Sequence, residues 1–166
     1  MDIYTADERF HQNAARAAQR ARYRRWPEDP RRVLAAAVEA EVAGRLRERG
    51  YFVARTGHNE NFDLLVNGLR VEVKASTWSH GRYQAALRGN DADILVFGCQ
   101  NGSRHFFVIP FEEVRGLTNL CVYTADPERS VGRWRHWLEA WPVLDAAIRR
   151  GLNHWQMPLL EQVDIE

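Results

Sequence analysis

Hydrophobic and polar positions change rhythm twice along this chain. Residues 31–49, RRVLAAAVEAEVAGRLRER, repeat their apolar positions at helical spacing. Val38, Val42 and Leu46 fall on one face, and Gly50 is placed to end the helix. From residue 51 the pattern shifts to short apolar runs: YFVAR (51–55), FDLLV (62–66), LRVEVKA (69–75), RYQAAL (82–87), DILVF (93–97) and HFFVI (105–109). Gly, Asn and Asp separate several of these runs, which predicts strands joined by turns. Helical spacing returns between Ser130 and Arg150. Val131, Trp134, Leu138, Trp141 and Ile148 would form its apolar face, Ser130 would cap it and Gly151 would follow its end. Ahead of all this, residues 8–25 are rich in Ala, Arg and Gln and predict an N-terminal helix, closed by a WPEDP linker at 26–30. The order predicts an α/β fold, a mixed central sheet flanked by helices.

Asn67-Gly68 lies between two of the strand patterns and is the strongest short-range hairpin signal, a two-residue type I′ turn. That turn sets the register. Val66 faces Leu69, Leu65 faces Arg70, Leu64 faces Val71 and Asp63 faces Glu72. The last two would be a non-hydrogen-bonded pair with Cα atoms about 4.5 Å apart. Alternation puts Lys74 on the face of Glu72, while Leu64, Val66, Val71 and Val73 belong to the core. Two opposed carboxylates repel. Lys74 supplies one compensating charge, and a divalent cation such as Mg²⁺ or Mn²⁺, which prefers hard oxygen ligands, would supply two. The bland alternative is a solvated charge ladder on the open face of a hairpin.

Composition sharpens this point. Lys74 is the only lysine among 23 Lys and Arg residues. Arginine's guanidinium is wide and planar, whereas an ammonium is a compact point charge that fits beside a bound water. The position therefore calls for water activation or charge stabilisation rather than simple ion pairing. The chain's 166 residues suit one core, and its 45% hydrophobic and 27% charged content suits a globular protein. No run approaches a membrane span, and MDIYTADERF lacks the pattern of a signal peptide. Cys99 and Cys121 lack metal-ligand spacing, which predicts reduced thiols in a cytoplasmic protein. The net charge of +1 is uninformative, but its distribution is not. Arg16, Arg20, Arg24 and Arg25 gather near one face of the N-terminal helix and suit phosphate contacts, or else pair with acids. His58 in GHNEN is a candidate nucleic-acid contact or an ordinary loop histidine. Arg82 would add to a basic surface, and Asp91 and Asp93 read as a turn cap and a strand start.

The run EAEVAGRLRERGYFV (39–53), then NFDLLV (61–66), then RVEVKAS (70–76), resembles the PD-(D/E)xK nuclease superfamily, the restriction-endonuclease-like fold. The resemblance covers about residues 33–110, with Phe62 where the family usually has proline. SVGRWRHWLEAW is similar to the tail of group I intron-associated and related small endonucleases, although a tryptophan stripe at this spacing also suits core packing. The resemblance implies a Mg²⁺-dependent DNA endonuclease, with Mn²⁺ able to substitute. Asp63 and Glu72 would bind metal with the carbonyl of Val73, and Lys74 would orient the attacking water or stabilise the phosphorane. Glu39 matches the family's helix acid, three before Val42 and seven before Leu46, and would help through a second metal or a bridging water; Glu41 points elsewhere. Gln84 is a further catalytic candidate, on the strand after the (D/E)xK strand. The implied organisation is an arginine-rich segment at 1–30, a nuclease core at 31–151 with a tryptophan-rich C-terminal helix, and a tail at 152–166. Cutting both strands with one site per chain implies a homodimer. Two other readings stand beside this one: a Holliday-junction-type nuclease of the same fold, and a catalytically silent nucleic-acid-binding module.

Overall fold

The structure, a computed structural model, describes residues 29–56, 61–87 and 92–160. The chain divides into two compact units, Met1–Val33 and Leu34–Glu166. In the first, only residues 29–33 are described, so Arg16, Arg20, Arg24 and Arg25 lie outside the described residues, as do His58 and Asp91. Asp29 caps the helix that follows: its carboxylate accepts the N–H of Arg31 at 2.9 Å. That helix, α1, runs Pro30–Glu48, with proline at its first position, where a missing N–H costs nothing. Gly50 closes it with φ +86°, its N–H bonding the Arg47 carbonyl at 2.8 Å.

The second unit is built on a five-stranded sheet in the order β1-β2-β3-β5-β6. Its strands are β1 (Val53–Arg55), β2 (Leu64–Val66), β3 (Leu69–Thr77), β5 (Ile94–Asn101) and β6 (Ser103–Pro110). The β2/β3 register is the one the Asn67-Gly68 turn dictates, Leu64↔Val71 to Val66↔Leu69. β3 and β5 are parallel, and the remaining pairs are antiparallel, so the sheet is mixed. The parallel pair needs a crossover, and here that crossover carries a strand instead of a helix. β4 (Tyr83–Ala86) leaves the main sheet and pairs with β7 (Asn119–Val122) as a separate two-stranded ribbon.

Two cores follow from strand alternation. Val71, Val73, Ile94, Val96, Phe106 and Val108 pack against Val38, Val42 and Leu46 of α1 and against Leu144 and Ile148 of the last helix, α2 (Pro142–Leu160). The opposite face, with Leu95, Phe97, Phe107 and Ile109, is covered by Tyr83, Ala85, Leu120 and Val122 of the ribbon.

The C-terminal region departs from the expected helix over 130–150. Only its second half is helical, and the helix continues through Gly151 to Leu160. Pro142 disfavours a helix running through it from residue 130 but suits a first position. Before it, Gly132 (φ +87°) and Glu139 (φ +49°) take left-handed conformations that interrupt any helix. Ser130 ends a short 3₁₀ turn at Pro127–Arg129 instead of capping a helix, and Val131 is 88% exposed. Trp134, Leu138 and Trp141 therefore stand ahead of the helix rather than on one helical stripe. The segment docks on the edge of β6, where Glu139 N–H donates to the Phe106 carbonyl (2.7 Å) and the Glu139 carboxylate accepts the Phe106 N–H (2.8 Å).

Candidate active site

Glu72 and Lys74 sit in the middle of β3, opposite Leu95 and Phe97 of β5. Their side chains therefore leave the sheet on the ribbon-covered face. Glu72 is only 4% exposed. A carboxylate that buried needs a charged or hydrogen-bonding partner, and the Lys74 ammonium donates to its Oε1. Lys74 itself stays within reach of solvent, its side chain 31% exposed.

Asp63 falls one residue before β2. The paired ladder ends at Leu64↔Val71, and Asp63 is not in the flat pairing with Glu72 that the turn alone would give. Its N–H bonds the Val71 carbonyl at 3.1 Å, and its carboxylate reaches across to accept the Val73 N–H at 2.7 Å. The departure has a physical reason: flat pairing would oppose two carboxylates, whereas the shift gives Asp63 a backbone donor. Asp63 is thus tied to the residue between Glu72 and Lys74. Thr56 helps hold the approach, its N–H donating to the Asp63 carbonyl (3.1 Å) and its hydroxyl to the Phe62 carbonyl.

The other candidates are placed differently. Glu39 lies on α1, on the helical side of the sheet. It accepts from Arg55 Nε at 3.1 Å and is not brought to Glu72 and Lys74. Val38, its neighbour, packs closely over Gly98 of β5. Gln84 stands on the ribbon with its side chain exposed, accepting from Arg82 Nε (2.9 Å) and donating to Asn119 Oδ1 (3.1 Å). Its backbone N–H donates to Ser76 Oγ at 3.0 Å, which docks the ribbon two residues beyond Lys74. Arg82, Gln84 and Asn119 thus form a polar row on the ribbon. Among the described residues, no three His, Cys, Asp or Glu side chains converge as a metal cluster.

The fold resembles that of a homing endonuclease. The solved structure of a bacterial homing endonuclease, I-Ssp6803I, superposes with a TM-score of 0.62 at 22% identity, over 76% of this chain and 96% of that one. No protein-family model and no curated protein matches the chain. The homing-endonuclease fold is therefore shared at the level of architecture, and the chemistry must be argued from the side chains. Among the described residues no helix is long and apolar enough to cross a membrane.

The sequence did not signal three contributors to this region: Ser76, Asn119 and Arg55. Ser76 was visible only as the residue two places beyond Lys74 on the same strand face. Asn119 and Arg55 carry no local signature, because their partners are 35 and 16 residues away.

Proposed function

We propose that this chain is a metal-dependent DNA endonuclease of the PD-(D/E)xK kind, with Asp63, Glu72 and Lys74 as its centre. One observation carries the reading. Asp63 is bonded to the backbone between Glu72 and Lys74, and Lys74 is bonded to Glu72, in a chain with an endonuclease-like fold.

The donor chemistry fits a hard divalent cation. Mg²⁺ is commonly held by one or two carboxylates, with waters and substrate phosphate completing its shell, so a third protein carboxylate is not required. Asp63 and Glu72 would hold Mg²⁺ or Mn²⁺, together with the carbonyl of Val73. When bound, the ion supplies Lewis-acid polarisation of the phosphate and a more acidic water.

The chain's own residues do the positioning. An ammonium has three N–H donors. Lys74 gives one to Glu72, which keeps it aimed, and has others to orient a water or neutralise a phosphoryl oxygen as charge builds. Glu72, buried and paired, holds that geometry before substrate arrives. Glu39 would contribute only after leaving Arg55. Cutting both strands of a duplex would require two copies of the chain.

The test is cleavage of supercoiled plasmid and of a synthetic four-way junction with Mg²⁺, Mn²⁺ or EDTA. Metal-dependent strand breaks reduced about 10²–10³-fold in Lys74→Ala support the reading. A preference for the junction would make the enzyme structure-selective. DNA binding without cleavage under every condition would instead describe a silent binding module, and Lys74→Ala acting like wild type would remove the proposed centre.

A further inference from the structure

A second concentration of charge lies where β3 and β5 begin and β6 ends. A cleft of about 240 Å³ opens there, lined by Arg70, Asp93, Phe111, Glu112, Arg115 and Arg150 among others. Arg70 and Asp93 balance each other. The guanidinium gives Nη2 to Oδ1 at 2.9 Å and Nε to Oδ2 at 3.2 Å, and the Arg70 N–H adds a bond of 2.9 Å to Oδ2. Among the described residues of the lining, that leaves Arg115 and Arg150 with one further acid, Glu112. Both arginines are exposed, and neither forms an ion pair with a described acid.

These two arginines are far apart in sequence. Arg115 follows the 3₁₀ turn Phe111–Val114, and Arg150 is on α2. Among the described residues, the fold brings these two positive charges to one concave site with Glu112 as the carboxylate not already held by an arginine of the lining. Such a lining focuses a positive potential and attracts anions. Guanidinium forks match the oxygens of a tetrahedral phosphate better than a spherical halide. Arg70, bonded to Asp93, forms part of the wall.

We propose that this cleft is a phosphate-binding site, with Arg115 and Arg150 as its ligands and Glu112 as the residue that limits its affinity. Asp63, Glu72 and Lys74 are not among its lining residues, and it does not depend on their being catalytic.

The experiment uses the full chain in EDTA, so that no cleavage intervenes, and titrates inorganic phosphate by calorimetry at fixed ionic strength. Wild type should bind saturably. The Arg115→Gln/Arg150→Gln double variant should bind at least tenfold more weakly, with an unchanged circular dichroism spectrum. Glu112→Gln should bind more tightly than wild type, a gain that damaged folding could not produce. A second arm measures a 12-bp duplex over a range of salt. If the phosphate belongs to a DNA backbone, the double variant weakens duplex binding and lowers the slope of log K against log salt by about 2. If phosphate binding falls while duplex binding does not change, the ligand is a free phosphate or phosphomonoester. No phosphate binding by wild type, or equal binding by wild type and double variant, overturns the site.

Discussion

Replacing Gly98 with alanine should loosen the seat of helix α1 on the sheet. A Cβ at Gly98 would stand 2.9 Å from Val38 Cγ1 and 3.4 Å from Phe106 Cε1. Both neighbours are fully buried, so neither can swing into solvent. Overpacking of this kind costs about 1–3 kcal/mol. Alanine recovers about 0.4–1 kcal/mol by restricting the unfolded chain. The overpacking term prevails, and the expected net loss is about 1–2 kcal/mol. Urea denaturation would read it as a lower midpoint with an unchanged slope. A double-mutant cycle isolates the cause. Val38→Ala alone should destabilise by leaving a cavity. Combined with Gly98→Ala, it makes room for the new methyl, so the double variant should be more stable than the sum predicts by about 1 kcal/mol. The same built Cβ lies 3.7 Å from the Lys74 carbonyl, so this packing also bears on the strand that carries Glu72 and Lys74. Strict additivity, or a Gly98→Ala protein as stable as wild type, would refute the reasoning.

Three further outcomes are expected. Asn67 takes φ +46° and its side chain accepts the Phe52 N–H at 2.8 Å, so Asn67→Ala should cost about 1–2 kcal/mol by thermal or urea unfolding, from left-handed strain and a lost bond. Burial alone would raise the Asp93 carboxyl, but the hydrogen bonds and charge of Arg70 overcome it and hold the group below its ordinary value of 3.8. A depressed carboxylate stabilises the fold above its unfolded pKa and loses that contribution as pH falls through the folded value. The stability gap between wild type and Asp93→Asn should therefore be full near neutrality and shrink in acid. Burial pushes the Cys99 thiol far up, so a thiol reagent added to native protein should label Cys121 and reach Cys99 only after unfolding.

The hairpin was legible in the sequence because a two-residue Asn-Gly turn leaves its strands one register, and strand alternation placed Lys74 on the face of Glu72. The buried face of α1 was legible for the same kind of reason, since Val38, Val42 and Leu46 repeat at the helical period. Asp63 shows where local rules stop. The turn sets its partner, but the repulsion between two carboxylates and the Val73 N–H decide where its side chain goes. Strand β7 escaped notice because four residues, NLCV, give too short an alternation to separate from a loop, and they pair only with β4. The tryptophan segment misled for the opposite reason. Trp134, Leu138 and Trp141 imitate a helical stripe, yet each finds a tertiary partner from a turn. Trp141 Nε1 donates to Glu139 at 2.8 Å and its ring packs on Phe106, while Leu138 bridges to Phe107. Pro142 was the residue that announced the true start of the last helix.

Asp63, Glu72 and Lys74 are proposed above to form one metal-dependent centre. Calorimetric titration of Mn²⁺ into wild type, Asp63→Ala, Glu72→Gln and Lys74→Ala tests it without relying on turnover. Wild type should bind saturably, and the two carboxylate variants should lose that binding. Lys74→Ala should bind at least as tightly as wild type, because its ammonium, seated on Glu72, competes with the ion. Absence of binding by wild type, or equal binding by wild type and the carboxylate variants, would contradict it.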